Sequence, residues 1–257
     1  MTGLGSVPAP PEGGVDRHRS RPDPAWAWSL ARLAVRRSRE ATRALTRRPG
    51  VAPIRSWVTV RAGDGLIRPL AATDSAAWSA GMRANESRMR PWWDIEGDWA
   101  VATDHIAFAS HYTQWARRAR TGRGLSLALC SPEGLVGEML VWNFDAQAGT
   151  AELGLWARPE SLSGRVLLAL LSGALDQLYG RCGATRLDAP VAVGNASPRK
   201  VLEHANFANE GTLSQWRRLH GEMVDYDMYG LTPQRWEVGR RHVYRLCPWE
   251  PVFTPPG

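Results

Sequence analysis

Lysine is almost missing from this chain. Lys200 stands alone beside 31 arginines in 257 residues, so the formal net charge of +7 rests on guanidinium groups that no ordinary pH neutralises. Cysteine is scarce as well. Cys130, Cys182 and Cys247 are odd in number, isolated and in no C-x-x-C spacing, which argues against a disulfide framework and against a structural zinc. No metal is expected. The longest aliphatic stretch, Val166 to Leu171, falls far short of the roughly 20 residues a spanning helix needs, and the N-terminus shows no apolar core of a secretory signal. No membrane span is expected, and a reducing cytoplasm is the expected setting.

The charge is uneven. Residues 1–55 hold 11 arginines against Glu12, Asp16, Asp23 and Glu40, whereas residues 56–257 hold 21 basic and 21 acidic residues. Residues 1–24 are rich in proline and glycine and poor in apolar side chains, so they cannot offset the entropy of ordering and are expected to be disordered. Residues 25–55 then read as a basic amphipathic helix and linker. Arg32, Arg36, Arg39, Arg43 and Arg47 recur at helical spacing opposite Leu30, Leu33, Ala41 and Leu45, and Pro49-Gly50 stops the pattern. Such a helix either packs on the domain with its arginines in water or offers an electrostatic footprint to tRNA, other RNA or another acidic partner.

From residue 56 the chain alternates strands and helices. Strand-like runs fall at Leu66–Leu70, Leu125–Cys130, Leu135–Asn143, Ala151–Ala157, Thr185–Val191, Glu210–Leu219 and Asp225–Leu231. Helical patterns fall at Ala76–Asn85, Thr103–Arg120, Val166–Tyr179 and Ser197–His204. This order predicts an α/β (mixed α+β) domain over 56–236, with a central mixed sheet of about six or seven strands flanked by about four helices. Trp236 to Gly257 reads as a Pro-ended tail, with 237–257 outside the domain.

Seven ordered segments carry a resemblance. They are Leu66-Ile67-Arg68-Pro69-Leu70 with Asp74; Asn85 with Arg90-Pro91-Trp92; Leu135-Val136-Gly137-Glu138; Ala151-Glu152-Leu153-Gly154-Leu155-Trp156; Asn195 through Val201-Leu202-Glu203; Phe207 with Glu210-Gly211; and Leu219-His220-Gly221-Glu222 into Asp225 and Leu231-Thr232. Together they are similar to the GNAT acetyltransferases, in the RimJ/RimL branch that acetylates ribosomal-protein N-termini. The resemblance implies a splayed sheet in which an acyl donor, acetyl-CoA or another acyl-CoA, lies against the exposed backbone of the family's fourth strand, here Leu153, Leu155 and Ala157. It implies direct attack of a primary amine on the thioester. A carboxylate is then a sensible base, Glu152 first and Glu138 in reserve, and Asn195 and Ser197 fall in the region that protects the departing thiolate. Trp92, Trp93 and Trp142, with Glu138, are expected at the acceptor cleft, although each suits a core position equally. Whether the chain is monomer or homodimer stays open.

Two segments depart from the family pattern. Its pyrophosphate loop uses glycines so that backbone N–H groups approach the phosphates at a helix N-terminus. Here Ser163 and Arg165 take the glycine positions, Gly164 alone remains, and Leu162 stands where a basic residue is usual. Arg165 offers a forked side-chain contact instead. Further on, Pro198 replaces a serine, Leu202 takes the place of a tyrosine acid, His204 reads as a surface residue, and Asn206 replaces a glycine. The acceptor is read as a protein N-terminus or a small-molecule amine. Two alternatives stay open beside an acyl-CoA transferase: a transferase using aminoacyl-tRNA, and a GNAT-fold binding protein without catalysis.

Overall fold

The computed structural model describes Ile54 and residues 57–95, 97–158, 160, 163–247 and 252–254. The segment 1–24 and the arginine stripe Arg32, Arg36, Arg39, Arg43 and Arg47 lie outside the described residues. Nine strands build one sheet: β1 Thr59–Ala62, β2 Gly65–Pro69, β3 Leu125–Ser131, β4 Gly134–Asp145, β5 Thr150–Ala157, β6 Arg186–Ala192, β7 Ala208–Leu219, β8 Glu222–Leu231 and β9 Val252–Thr254. Among the described residues seven α-helices accompany them: α1 Ser75–Ala84, α2 Glu86–Met89, α3 Trp99–Ala102, α4 His105–Arg120, α5 Gly164–Gly180, α6 Arg199–His204 and α7 Pro233–Leu246. The strand order is β7-β8-β6-β5-β4-β3-β2-β1-β9, and every neighbouring pair is antiparallel except β5 with β6.

Helices cover both faces of the sheet, so β3 is buried at every position instead of alternating. Leu125, Leu127 and Leu129 join Leu170, Leu178, Trp236 and Val243 in the core under α5 and α7. Ala128 and Cys130 join Trp78, Met82, Phe108 and Trp156 in the core under α1 and α4. At the far edge, α5 holds the chain entering β1 through one side chain. Buried Gln177 accepts from Val58 N–H at 2.9 Å and donates to Val58 C=O at 2.6 Å, acting as a surrogate strand neighbour.

The structure adds five elements to those read from the sequence, β1, β9, α2, α3 and α7, and shortens one helix. Strands β1 and β9 are too short for a pattern to show, and they pair with each other at the sheet edge. The expected tail is helix α7, capped by Thr232, whose hydroxyl accepts from Arg235 N–H. Arginines crowd the helix, but Trp236, Gly239, Val243 and Cys247 form a buried stripe at helical spacing. Asp176 on α5 accepts from Trp236 Nε1 and from the Tyr244 hydroxyl, both at 2.8 Å, and so fixes α7 against α5. The helix expected over Thr103–Arg120 starts at His105, with α3 a separate turn ahead of it. The Asp104 carboxylate caps α4 by accepting from Ile106 and Ala107 N–H at 2.8 Å, which separates α3 from α4.

The core under α1 and α4 contains a carboxylate with no solvent exposure, Glu138 on β4. Its Oε1 accepts from Ser126 Oγ on β3 and lies 2.7 Å from His111 Nε2 on α4. Its Oε2 accepts from Trp78 Nε1 on α1 and Trp156 Nε1 on β5, both at 3.1 Å. Burial alone would raise the Glu138 pKa. The hydrogen bond and charge of His111, with the Ser126 and Trp156 donors, outweigh burial and hold the carboxyl below the usual carboxylate range.

Two stability predictions follow from these anchors. Replacing Gln177 by leucine leaves the Val58 N–H and C=O buried without partners, and denaturant unfolding should show a loss of about 2–4 kcal/mol. Glu138→Gln places an amide against donors, and at neutral pH the cost should be about 3–5 kcal/mol, in the range for breaking a buried pair. Because the folded state holds the Glu138 pKa below its unfolded value, the unfolded chain takes up the proton first as pH falls. The wild-type advantage over the variant should therefore be complete above about pH 4.3 and shrink in acid below it, as read by unfolding midpoints against pH.

Candidate active site

The parallel pairing of β5 with β6 lasts for three residue pairs, Thr150↔Arg186, Ala151↔Leu187 and Glu152↔Asp188. Beyond them each strand keeps only its outer neighbour: β5 stays paired with β4 as far as Gly137↔Ala157, and β6 with β8 as far as Ala192↔Tyr226. The sheet thus opens along Leu153–Ala157 on one side and Ala189–Ala192 on the other. Pro190, just past the last pair, has no N–H to give to a ladder, which helps to keep β5 away.

A cavity of about 470 Å³ lies at this opening. Leu153 to Trp156 and Ala189 to Ala192 form its strand walls, and helices on both sheet faces complete it. On one face stand Trp92, Trp93, Trp115 and Trp142 with His111; on the other, Leu168, Leu171 and Leu175 of α5, Val201 and Leu202 of α6, and Trp236 and Val243 of α7. The polar groups on the wall are few: Asp94, His111, Gln114, Arg118, Ser172, Asn195, Arg217 and Tyr226. Burial pushes the Tyr226 hydroxyl up from its ordinary range, with Arg217 opposing and Asp94 adding to the shift.

The hairpin β7–β8 closes the opening from above. Its two-residue turn, His220-Gly221, has positive φ at both positions (51° and 84°), the geometry of a type I′ turn, for which glycine is well suited. His220 N–H donates to Asp94 at 2.8 Å, and the His220 ring is 2.8 Å from the Arg90 carbonyl oxygen. The turn therefore clamps the Trp92-Trp93 segment from the opposite half of the sheet.

The residues singled out in the sequence are distributed as follows. Trp92, Trp93, Trp142, Leu153, Leu155 and Asn195 line the cavity, whereas Glu152, Ser197, Ala157 and Glu138 do not. Both oxygens of Glu152 are engaged, one accepting from Asn143 Nδ2 at 3.0 Å and the other from Arg217 Nη2 at 2.5 Å, and it is Arg217 that reaches the wall. Ser197 is exposed, and its neighbour Pro198 lines the cavity instead. Ser163, Gly164 and Arg165 form the exposed start of α5. Ser163 caps the helix by accepting from Val166 N–H, and a Cβ at Gly164 would meet nothing within 4 Å. Pro159, Ser161 and Leu162 lie outside the described residues. Asn206 has φ 67°, the left-handed geometry in which asparagine replaces glycine readily.

His111 is the wall residue that sequence reasoning passed over. Its signal was indirect: an acidic residue in an apolar strand, Glu138, needs a partner, and His111 precedes Trp115 by one helical turn on the face that α4 buries.

Comparison with known proteins agrees with this architecture. The family model for the GNAT acetyltransferase domain matches residues 66–208. Among solved structures, Mycobacterium smegmatis RimJ in complex with CoA-disulfide is 25% identical, with a TM-score of 0.67 over 75% of this chain and 95% of its own. RimL, a ribosomal-protein α-N-acetyltransferase in complex with coenzyme A, is 17% identical, with a TM-score of 0.61 over 68% of this chain and 98% of its own. A Salmonella typhimurium acetyl transferase that modifies the N-terminal serine of a 50S ribosomal subunit protein is 16% identical, with a TM-score of 0.58 over 66% and 95%. No curated protein sequence matches significantly. With more than half of its length matched by the family model and the opened sheet in place, the chain belongs to the GNAT acetyltransferase family.

Proposed function

We propose that this acyltransferase uses an acyl-CoA, with acetyl as the simplest acyl group, and passes the acyl group to a primary amine inserted among Trp92, Trp93 and Trp142. The observation that carries this reading is the free β5 edge, Leu153 to Ala157, beside the cavity. The amides of a pantetheine arm suit such an edge, because an extended chain with peptide-like groups satisfies unpaired backbone N–H and C=O groups as an added strand does. The first turn of α5 also fits the donor's phosphates. Its N–H groups and positive dipole end are exposed at Ser163 and Gly164, and Arg165 adds a fork-shaped cation in place of a close-approach glycine.

The acceptor side suits a chain terminus more than a polyamine. Apart from Asp94 at the rim, the described wall offers no carboxylate, and the aromatic surfaces suit the apolar side chains and backbone that follow an N-terminal amine. In this arrangement Glu152 is a positioning residue: it fixes Arg217 at the wall. The CoA complexes of the RimJ and RimL structures, and the ribosomal proteins named for RimL and the Salmonella enzyme, favour the same donor and acceptor classes.

Calorimetry with acetyl-CoA and mass spectrometry of a peptide panel test the reading. Micromolar acetyl-CoA binding and acetylation of a peptide N-terminus are the expected result, and Trp142→Ala should lower kcat/KM for that peptide by roughly tenfold or more, the loss of one aromatic contact of about 1.4 kcal/mol. No binding at millimolar acyl-CoA, or transfer from charged tRNA alone, would overturn it.

A further inference from the structure

We propose that His111, oriented by buried Glu138, accepts the proton that the amine loses on attacking the thioester. This rests on the acyl-transfer reading above and assigns its base. Three observations meet at one ring. His111 lines the cavity, on the sheet face that also carries Trp92, Trp93 and Trp142. Its Nε2 lies 2.7 Å from a carboxylate with no solvent exposure, so in the neutral ring this nitrogen is the donor and Nδ1 keeps its lone pair. Nδ1 makes no hydrogen bond among the described residues.

The remaining contacts hold the ring in place. Trp78 lies against it at 5.2 Å between ring centroids and Trp115 at 6.2 Å, and Trp78 is itself tied to Glu138. Glu138 has no rotational freedom to exchange partners, since Ser126, Trp78 and Trp156 occupy its other positions. An imidazole held this way by a carboxylate has a fixed tautomer, and the imidazolium formed on proton uptake faces a negative charge that is already in position. Glu152 does not line the cavity, and its oxygens are directed to Asn143 and Arg217.

The step balances without another reactant. The amine nitrogen lone pair forms the N–C bond and the C–S bond breaks with its electrons on sulfur. The proton released by nitrogen goes to His111 Nδ1 and from there to the thiolate, which leaves as the coenzyme A thiol.

The test compares wild type, His111→Gln and His111→Ala in steady-state acetylation of an N-terminal peptide, with acetyl-CoA binding followed by calorimetry. His111→Gln keeps an N–H toward Glu138 and removes the accepting nitrogen. Its kcat should fall about 10²- to 10⁴-fold with the acetyl-CoA Kd and the peptide KM unchanged. Added imidazole should restore part of the rate in His111→Ala and none in wild type. Unchanged kcat in His111→Gln overturns the assignment, as does a loss shared equally by acetyl-CoA binding and not rescued by imidazole in His111→Ala. A wild-type chain that acetylates no amine overturns the acyl-transfer reading along with it.

Discussion

A single buried charge organises the half of the domain that faces the acceptor side of the cavity. Glu138 stands in the middle of β4, and the four groups that satisfy it come from β3, α1, α4 and β5. An unpaired carboxylate at this depth would cost several kcal/mol, so none of these elements can shift without exposing that penalty. The orientations of Trp78 and Trp156 are set by their indole N–H bonds, and these two rings form much of the core under α1 and α4. A hydrophobic residue would fill the same space. It would not dictate which edge of each indole faces inward, nor hold an imidazole at the cavity wall.

The second constraint is the parting of β5 from β6. Their short parallel ladder ends at Glu152↔Asp188, Pro190 has no N–H to extend it, and the far end of the gap is spanned by the β7–β8 turn, where His220 reaches Arg90 and Asp94. The two half-sheets are therefore joined at both ends of the gap and separated between them. That is the condition for a cavity inside a continuous sheet. The free backbone along Leu153–Ala157 is a polar edge beside a largely apolar chamber, and it suits a strand-like ligand.

Much of this was legible in the sequence, because its long elements are locally consistent. The β-branched and leucine-rich runs at 125–130 and 135–143, and the apolar helix at 166–179, carry periodicity strong enough to fix their type, and the segment order matched one family. What escaped detection depended on distant partners. Strand β1 is four residues long and exists because β2 and β9 flank it. Helix α7 fell in what read as a Pro-ended tail, yet Asp176, sixty residues away, accepts from its tryptophan. Glu152 drew attention as an acid on the family's fourth strand, but only the fold shows Arg217 across from it. His111 carried no motif, and its meaning depends on Glu138, a residue 27 positions later that the register of β4 turns toward α4.

The electrical neutrality of residues 56–257 acquires a local meaning from the same structure. Arginines and acids are matched in pairs that tie elements together: Arg68 with Asp74, Arg186 with Asp188 and Glu210, Arg199 with Asp227, Arg240 with Asp176. Near the cavity, arginines also lie over rings: Arg118 over Trp115 at 5.0 Å, and Arg217, paired with Glu152, over Trp216 at 3.9 Å. An ammonium entering among these aromatic and aliphatic walls loses hydration, which favours loss of its proton. The attacking species in acyl transfer is the neutral amine, so the wall favours the reactive form before any base acts. The proton then has to leave by a group that can carry positive charge in the same surroundings. Among the described wall residues, His111 and Trp156 both contact buried Glu138, and of the two only the imidazole takes up a proton.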